Sequence, residues 1–277
     1  MDKELIKKIK TRIKEKLASY PPEAAVSMLG LAERTCFSGY EEEIALLPAR
    51  TFAALGKENT DQSTSIGAAH CFGWTAYRLL DEVADGKSRD IWLALSFYRL
   101  MITEYKKLAG INDEGFIESV FSKMDTTNHL EKENLGVPTM AMLADKSMGH
   151  ALGVLVPLGT SGYGSGTAAF RLAFVMMRHM IIARQLSDDM QDWQEDFEMC
   201  IRTRVNHPLF EKRLPEEKRT ALDRAMRDAC AEIMRHSHAA ARLARANPAF
   251  GDPSFFVRLA MKFAGPARNF LTKKLVP

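Results

Sequence analysis

The chain has 277 residues, 46% of them hydrophobic and 26% charged, with a formal net charge of +3. That length and apolar content support one large core or two modest ones. So small a surplus of charge, with no dense basic stripe interleaved with aromatics, argues against a nucleic-acid partner, and the lack of any run of about 20 uncharged apolar residues argues against a membrane span.

Helical periodicity dominates, and β-branched alternation is almost absent. The opening stretch MDKELIKKIKTRIKEK lacks the apolar centre of a signal peptide. Within residues 3–18, Leu5, Ile6, Ile9, Ile13 and Leu17 fall three and four apart, one apolar stripe on a lysine-rich helix that Tyr20-Pro21-Pro22 ends. Residues 1–20 are thus expected to form an amphipathic basic N-terminal helix. Further helices are predicted over 22–37, 41–56, 61–85, 89–109, 113–125, 138–157, 165–199, 215–246 and 253–274. The breaks carry Gly39, Gly86, Gly110, Gly136, the run GTSGYGSG at 159–166, Pro208, Pro215 and NPAFGDP at 247–253. With no internal repeat and no long linker, the expectation is a single all-α domain, 1–277, of eight to ten helices. Four scattered cysteines, Cys36, Cys71, Cys200 and Cys230, form no CxxC pair and fit free thiols in a reducing cytoplasm.

Two acidic segments carry the chemistry. In YRLLDEVADG, residues 77–86, Asp81 and Asp85 are four apart and share a helical face, with Glu82 at the flank. The preceding SIGAAHCFGWTAYRLL is largely apolar. Paired carboxylates at the end of a core-facing helix repel and resist ionisation unless a cation joins them. Carboxylate oxygens suit Mg²⁺, a hard ion that keeps part of its water and bridges to phosphate. The plainer reading is a helix end reaching solvent, with Arg78 pairing to Asp81 or Glu82. The pattern then repeats after another apolar helix: in RQLSDDMQDWQEDF, residues 184–197, Asp188 and Asp192 are four apart, with Asp189 adjacent. Two such helices facing across a cavity could hold two or three divalent ions around a diphosphate.

At these residues the chain resembles the class I isoprenoid synthase superfamily, above all the trans-prenyl diphosphate synthases, with some similarity to the squalene and phytoene synthase branch. Asp81-Glu82-Val83-Ala84-Asp85-Gly86 is similar to the family's first D-D-x-x-D motif. Arg184-Gln185-Leu186-Ser187-Asp188-Asp189-Met190-Gln191-Asp192 is similar to its second, F-Q-x-x-D-D-x-x-D, with Arg184 in place of the aromatic. Lys146-Ser147 resembles the K-T pair between them. The resemblance implies an antiparallel helix bundle around a deep apolar cavity, and an Mg²⁺-dependent prenyltransferase, most often a homodimer. Such an enzyme ionises an allylic isoprenyl diphosphate and couples the cation to isopentenyl diphosphate or another isoprenoid. It assigns metal binding to Asp81, Glu82, Asp85, Asp188, Asp189 and Asp192, catalysis to Asp81, Asp85, Asp188 and Lys146, and substrate contacts to Gln185, Lys146, Arg50, Lys87 and Arg89. The family's G-G-K-R-x-R-P segment has only Arg50, and more remotely Lys57, as its counterpart here. That departure keeps two other readings open, a class I terpene cyclase acting on one allylic diphosphate and a catalytically silent subunit of an active synthase.

Trp74 and Tyr77, one turn apart before the first segment, read either as core packing or as cavity lining that faces the cation and limits tail length. His70, His150 and His179 lie on apolar segments and read as hydrogen-bonded core residues. His236 and His238, two apart, fall on different sides of a helix. Both termini are basic and amphipathic, first as solvated faces and second as contacts for an anionic membrane, so the protein is expected to be cytoplasmic with peripheral membrane contact as the second reading.

Overall fold

Apolar spacings of three and four become twelve α-helices, with no strand among the described residues of the computed structural model, which are 2–37, 42–57, 59–84, 88–109, 114–133, 136–212 and 214–273. In chain order they are α1 (Asp2–Leu17), α2 (Pro22–Cys36), α3 (Glu42–Ala54), α4 (Thr60–Ala84), α5 (Ile91–Ala109), α6 (Glu114–Lys132), α7 (Met140–Lys146), α8 (Gly149–Thr160), α9 (Ala168–Glu198), α10 (His207–Glu211), α11 (Pro215–Ala246) and α12 (Ser254–Lys273). The all-α expectation holds, but twelve helices stand among the described residues where eight to ten were expected, and three boundaries account for the main differences. The helix expected over 138–157 is two helices, because Ser147 leaves helical geometry at φ −117° and its N–H turns back to the Asp145 carbonyl. α6 runs on to Lys132 because buried Thr127 continues the stripe of Ile117, Val120 and Met124. Pro208, read as a break, stands in the first turn of α10, where its missing N–H costs nothing.

Tertiary packing divides the chain into two compact units, one of Met1–Ser119, Gly149–Phe170 and Ala249–Asp252, the other of Val120–Met148, Arg171–Pro248 and Pro253–Pro277. In the first, α4 is the central helix and packs against α1, α2, α3, α5 and α8. Ile9, Ile13 and Leu17 of α1 are fully buried, as the sequence stripe predicts, each contributing about 2 kcal/mol of apolar transfer. Gly67 lets α4 approach this closely, since a Cβ there would lie 2.9 Å from Ile9 Cδ1 and 3.0 Å from the Ala45 carbonyl oxygen.

Pro157 sits inside α8 and cannot donate to the carbonyl of Gly153 four residues back. The buried Thr51 hydroxyl of α3 reaches that carbonyl at 3.4 Å while also donating to Leu47 O at 2.9 Å, one proton shared between two acceptors. In the second unit α11 and α12 pack along alanine-rich faces: Ala240, Ala241 and Ala244 on one, Ala260, Ala264 and Ala267 on the other, all buried. Val205, Met226 and Ala229 form a core cluster there, with Met190, Trp193, Leu222 and Phe270 packed against it.

Candidate active site

Along α4 one face carries His70, Trp74, Tyr77 and Asp81, at spacings of four, three and four. Burial falls steadily along it. His70 is buried, Trp74 and Tyr77 are half-buried, and Asp81 is exposed with Glu82 half-buried beside it. Asp85 and Lys87 lie outside the described residues. Beyond them, Ser88 N–H donates to Glu82 O at 3.1 Å, and Asp90 N–H donates to Ser88 Oγ at 3.1 Å, with Arg89 exposed.

The aromatic wall below Asp81 is tied to its neighbours. The Trp74 ring lies 5.0 Å from that of His150 on α8, and Tyr77 meets Tyr98 of α5 edge-on at 6.2 Å. His70 Nδ1 shares a hydrogen bond with Tyr105 Oη at 2.7 Å, which bears out its reading as a bonded core histidine. Burial pushes its pKa down to about 4, so it is neutral at physiological pH. Arg50, expected near an acceptor diphosphate, donates from Nη2 to Asp2 Oδ2 at 2.5 Å.

In the second unit, α9 holds Asp188 and Asp189 half-buried and Asp192 exposed, beyond a buried body that includes Met176, Met177, Met180 and Leu186. Arg184 reaches down one turn to Asp188, Nε to Oδ2 at 3.7 Å. The substitution that sets this segment apart from the family pattern therefore places a cation beside the carboxylate. The Asp189 Oδ2 atom is shut away from solvent. Gln191 donates from Nε2 to Ser187 O at 3.0 Å, which pins the next turn.

Gln185 donates from Nε2 to Ser147 Oγ at 2.9 Å. The contact joins the second acidic segment to the break after α7 and sets Gln185 next to Lys146, the half-buried last residue of α7. Arg178 of α9 pairs with Asp145 on the same turn. Neither contact is visible in periodicity; only the polar residues interrupting an apolar run, DKS, hinted at them. A groove of about 680 Å³ in this unit is lined by residues such as Met140, Arg204, Lys212, Arg224 and Asp228, and by none of the sequence-predicted site residues.

His179 was expected to be a hydrogen-bonded core residue, and the structure pairs it with His236, Nδ1 to Nδ1 at 2.7 Å. Arg235 Nη2 donates to His236 Nε2 at 3.0 Å, and a guanidinium can only donate. The His236 proton is therefore on Nδ1, given to His179, whose own proton sits on Nε2. Burial, then His179 and Arg235, hold His236 down to about 4 against the opposing pull of Glu232. Burial, then Arg235, Arg242 and Arg178, lower His179. His236 is buried and His238 exposed, on different sides of α11 as expected.

Among the described residues no three His, Cys, Asp or Glu side chains cluster tightly enough to hold a metal ion. The donors in both acidic segments are nonetheless carboxylate oxygens without thiolate or imidazole, a set that fits a hard cation. No helix among the described residues is long and apolar enough to cross a membrane, and all four cysteines are free thiols.

No known family's sequence model matches the chain, and no curated protein matches it by sequence. Solved structures do. The chain superposes on a geranylgeranyl pyrophosphate synthetase from the archaeon Geoglobus acetivorans with a TM-score of 0.74, at 12% identity, covering 95% of this chain and 99% of that one. A polyprenyl synthase from Caulobacter crescentus CB15, complexed with calcium and isoprenyl diphosphate, gives a TM-score of 0.72 at 13% identity, covering 96% of this chain and 94% of that one. A polyprenyl synthase from Roseobacter denitrificans gives 0.63 at 14%, over 92% of this chain and 99% of that one. At identities this low the likeness speaks for architecture, and the architecture extends over nearly the whole length of both partners: this chain has the all-α fold of the trans-prenyl diphosphate synthases, the class I isoprenoid synthase fold.

Proposed function

We propose that the protein is an Mg²⁺-dependent prenyltransferase that ionises an allylic isoprenyl diphosphate and couples the carbocation to isopentenyl diphosphate or another isoprenoid. The observation that carries this reading is the conjunction of a prenyl synthase fold over 95% of the chain with two carboxylate segments, each following a largely buried stretch of helix. Asp81, Glu82 and Asp85 on one side and Asp188, Asp189 and Asp192 on the other would hold two or three Mg²⁺. Bound there, the ions neutralise charge that builds on the departing diphosphate.

The chain's own groups do the rest. Lys146 and Gln185 donate to the diphosphate oxygens, each worth about 3 kcal/mol in a site that excludes water. Ser147 orients the Gln185 amide. Lys87, Arg89 and Arg50 are left to receive the acceptor's diphosphate. Trp74 and Tyr77 shield the cation from water, offer ring faces to it and limit the tail. A single domain lined by a deep apolar cavity, a homodimer and peripheral contact with a membrane belong to the same reading. Trp92 and Leu95, exposed three residues apart on α5, are an apolar face that a second copy could cover.

A class I terpene cyclase is the second reading, favoured by the engagement of Arg50 with Asp2, which draws a cation away from any acceptor. Incubation of the pure protein with Mg²⁺ and allylic diphosphates of graded length, with and without isopentenyl diphosphate, separates the two. Diphosphate released only with the second substrate supports coupling. Release without it, together with a hydrocarbon or alcohol, supports cyclisation. No release under any condition refutes both.

A further inference from the structure

Charge is distributed unevenly along this chain. Residues 233–277 contain eight Lys and Arg and a single acid, Asp252, a net +7. The whole chain is only +3, so the first 232 residues are net −4. The excess falls on the second half of α11 and on α12, two helices packed against each other within one unit.

The cations are aligned. Arg235, His238, Arg242 and Arg245 are all exposed on α11 at spacings of three, four and three, a single line opposite the buried Ile233, Ser237, Ala240 and Ala244. On α12, Arg258 and Lys262 are exposed one turn apart, opposite buried Phe256, Ala260, Ala264 and Ala267. The acids of α11 lie earlier, in its first eighteen residues, where Asp223 pairs with Arg227 at 2.9 Å and Glu232 with Arg235 at 2.5 Å.

The other basic helix, α1, is different. Its cations are interleaved with three acids, Asp2, Glu4 and Glu15, and its ion pairs join Lys16 to Glu104 at 2.7 Å, Arg12 to Glu15 at 3.1 Å and Lys10 to Glu33 at 3.6 Å. Its potential at a distance is correspondingly weaker.

We propose that the α11–α12 hairpin, through Arg235, Arg242, Arg245, Arg258 and Lys262, is a docking surface for an anionic lipid membrane. A straight line of cations on a rigid helix matches a planar array of headgroup phosphates, and each such cation adds to the attraction. Phe255 of α12, half-buried and three residues before Arg258, is a side chain that a headgroup layer accepts. The proposal shares with the proposed function only the expectation of membrane contact. It requires no turnover, so its failure and the failure of the prenyl-transfer reading are separate results.

The test is co-sedimentation of the full chain with vesicles of phosphatidylcholine alone and of phosphatidylcholine mixed with phosphatidylglycerol, at low and high salt. Binding is expected to the mixed vesicles only and to weaken with salt. It should fall roughly tenfold or more in Arg242→Glu/Arg245→Glu and again in Arg258→Glu/Lys262→Glu, made separately so that either suffices if the other loses its helical circular dichroism. Lys3→Glu/Lys7→Glu on α1 should leave it nearly unchanged. Equal binding to neutral vesicles, no binding to either kind, retention by both hairpin variants, loss in the α1 variant, or tighter binding to duplex DNA than to the mixed vesicles would each overturn it.

Discussion

Arg184 stands where the prenyl synthase pattern has an aromatic, and its position gives that departure a consequence. Its guanidinium lies 3.7 Å from Asp188, with the carboxylate about half-exposed. A pair in that setting is worth between 0 and about 1 kcal/mol, and a metal ion binding at Asp188 must displace or tolerate it. Arg184→Leu is therefore expected to tighten Mg²⁺ binding by up to about fivefold, the equivalent of that energy, read from Mg²⁺ titrations of the thermal midpoint in the presence of diphosphate. An unchanged or weaker response would mean that the arginine is not competing for the carboxylate.

The His179–His236 pair has its own residue-scale signature. Both imidazoles are held below their ordinary value, His236 at about 4. The groups facing them are Arg178 from α9 and Glu232, Arg235 and Arg242 from α11. The unfolded chain takes up protons near pH 6.5 that the folded pair refuses, so stability is complete above about 6.5 and declines as pH falls toward 4, by on the order of 2 kcal/mol. Urea unfolding from pH 7.5 to 4 should show that decline, and His236→Gln should lessen it, leaving the part that buried His70 contributes over the same range. A slope the same in both proteins would place the acid sensitivity elsewhere.

At the scale of the element, α8 shows how a helix can keep an internal proline. The Gly153 carbonyl that Pro157 cannot satisfy is met by Thr51, and Gly153 itself leaves room for Leu47 and His70, both within 3.3 Å of where a Cβ would stand. Thr51→Val preserves shape and removes the hydroxyl, leaving a buried carbonyl poorly paired. The expected loss is about 1–2 kcal/mol by chemical denaturation, and Thr51→Ser should recover most of it. The same element explains what the sequence could and could not disclose. α1, α4, α9, α11 and α12 were legible because each repeats its apolar residues every three or four positions against a polar face. The break at Ser147 was not, because it is tied to Gln185, which is distant in sequence. Asp188 and Asp192 were legible as carboxylates four apart on α9, while Asp85, four after Asp81, lies outside the described residues. The Arg184–Asp188 contact has the same spacing and could have been read from it. The imidazole pair could not, since its members are joined only by the packing of α9 against α11.

For the whole molecule, the proposed function makes one demand that neither segment meets alone: the carboxylates around Asp81 and those around Asp188 must act on the same bound diphosphate. This is a statement about coupling, and coupling can be measured without turnover. Mg²⁺ together with diphosphate should stabilise the folded protein by about 2.7 kcal/mol at a hundredfold excess over the dissociation constant, and either alone by much less. Asp81→Asn and Asp188→Asn should each remove most of that gain. If the two carboxylates share ions, the double variant loses hardly more than either single one, giving an interaction energy of about 1–3 kcal/mol in a double-mutant cycle. Losses that simply add would mean two independent cation sites. In that event the fold would still be that of a prenyl synthase, but the chemistry assigned to it here would have to be abandoned.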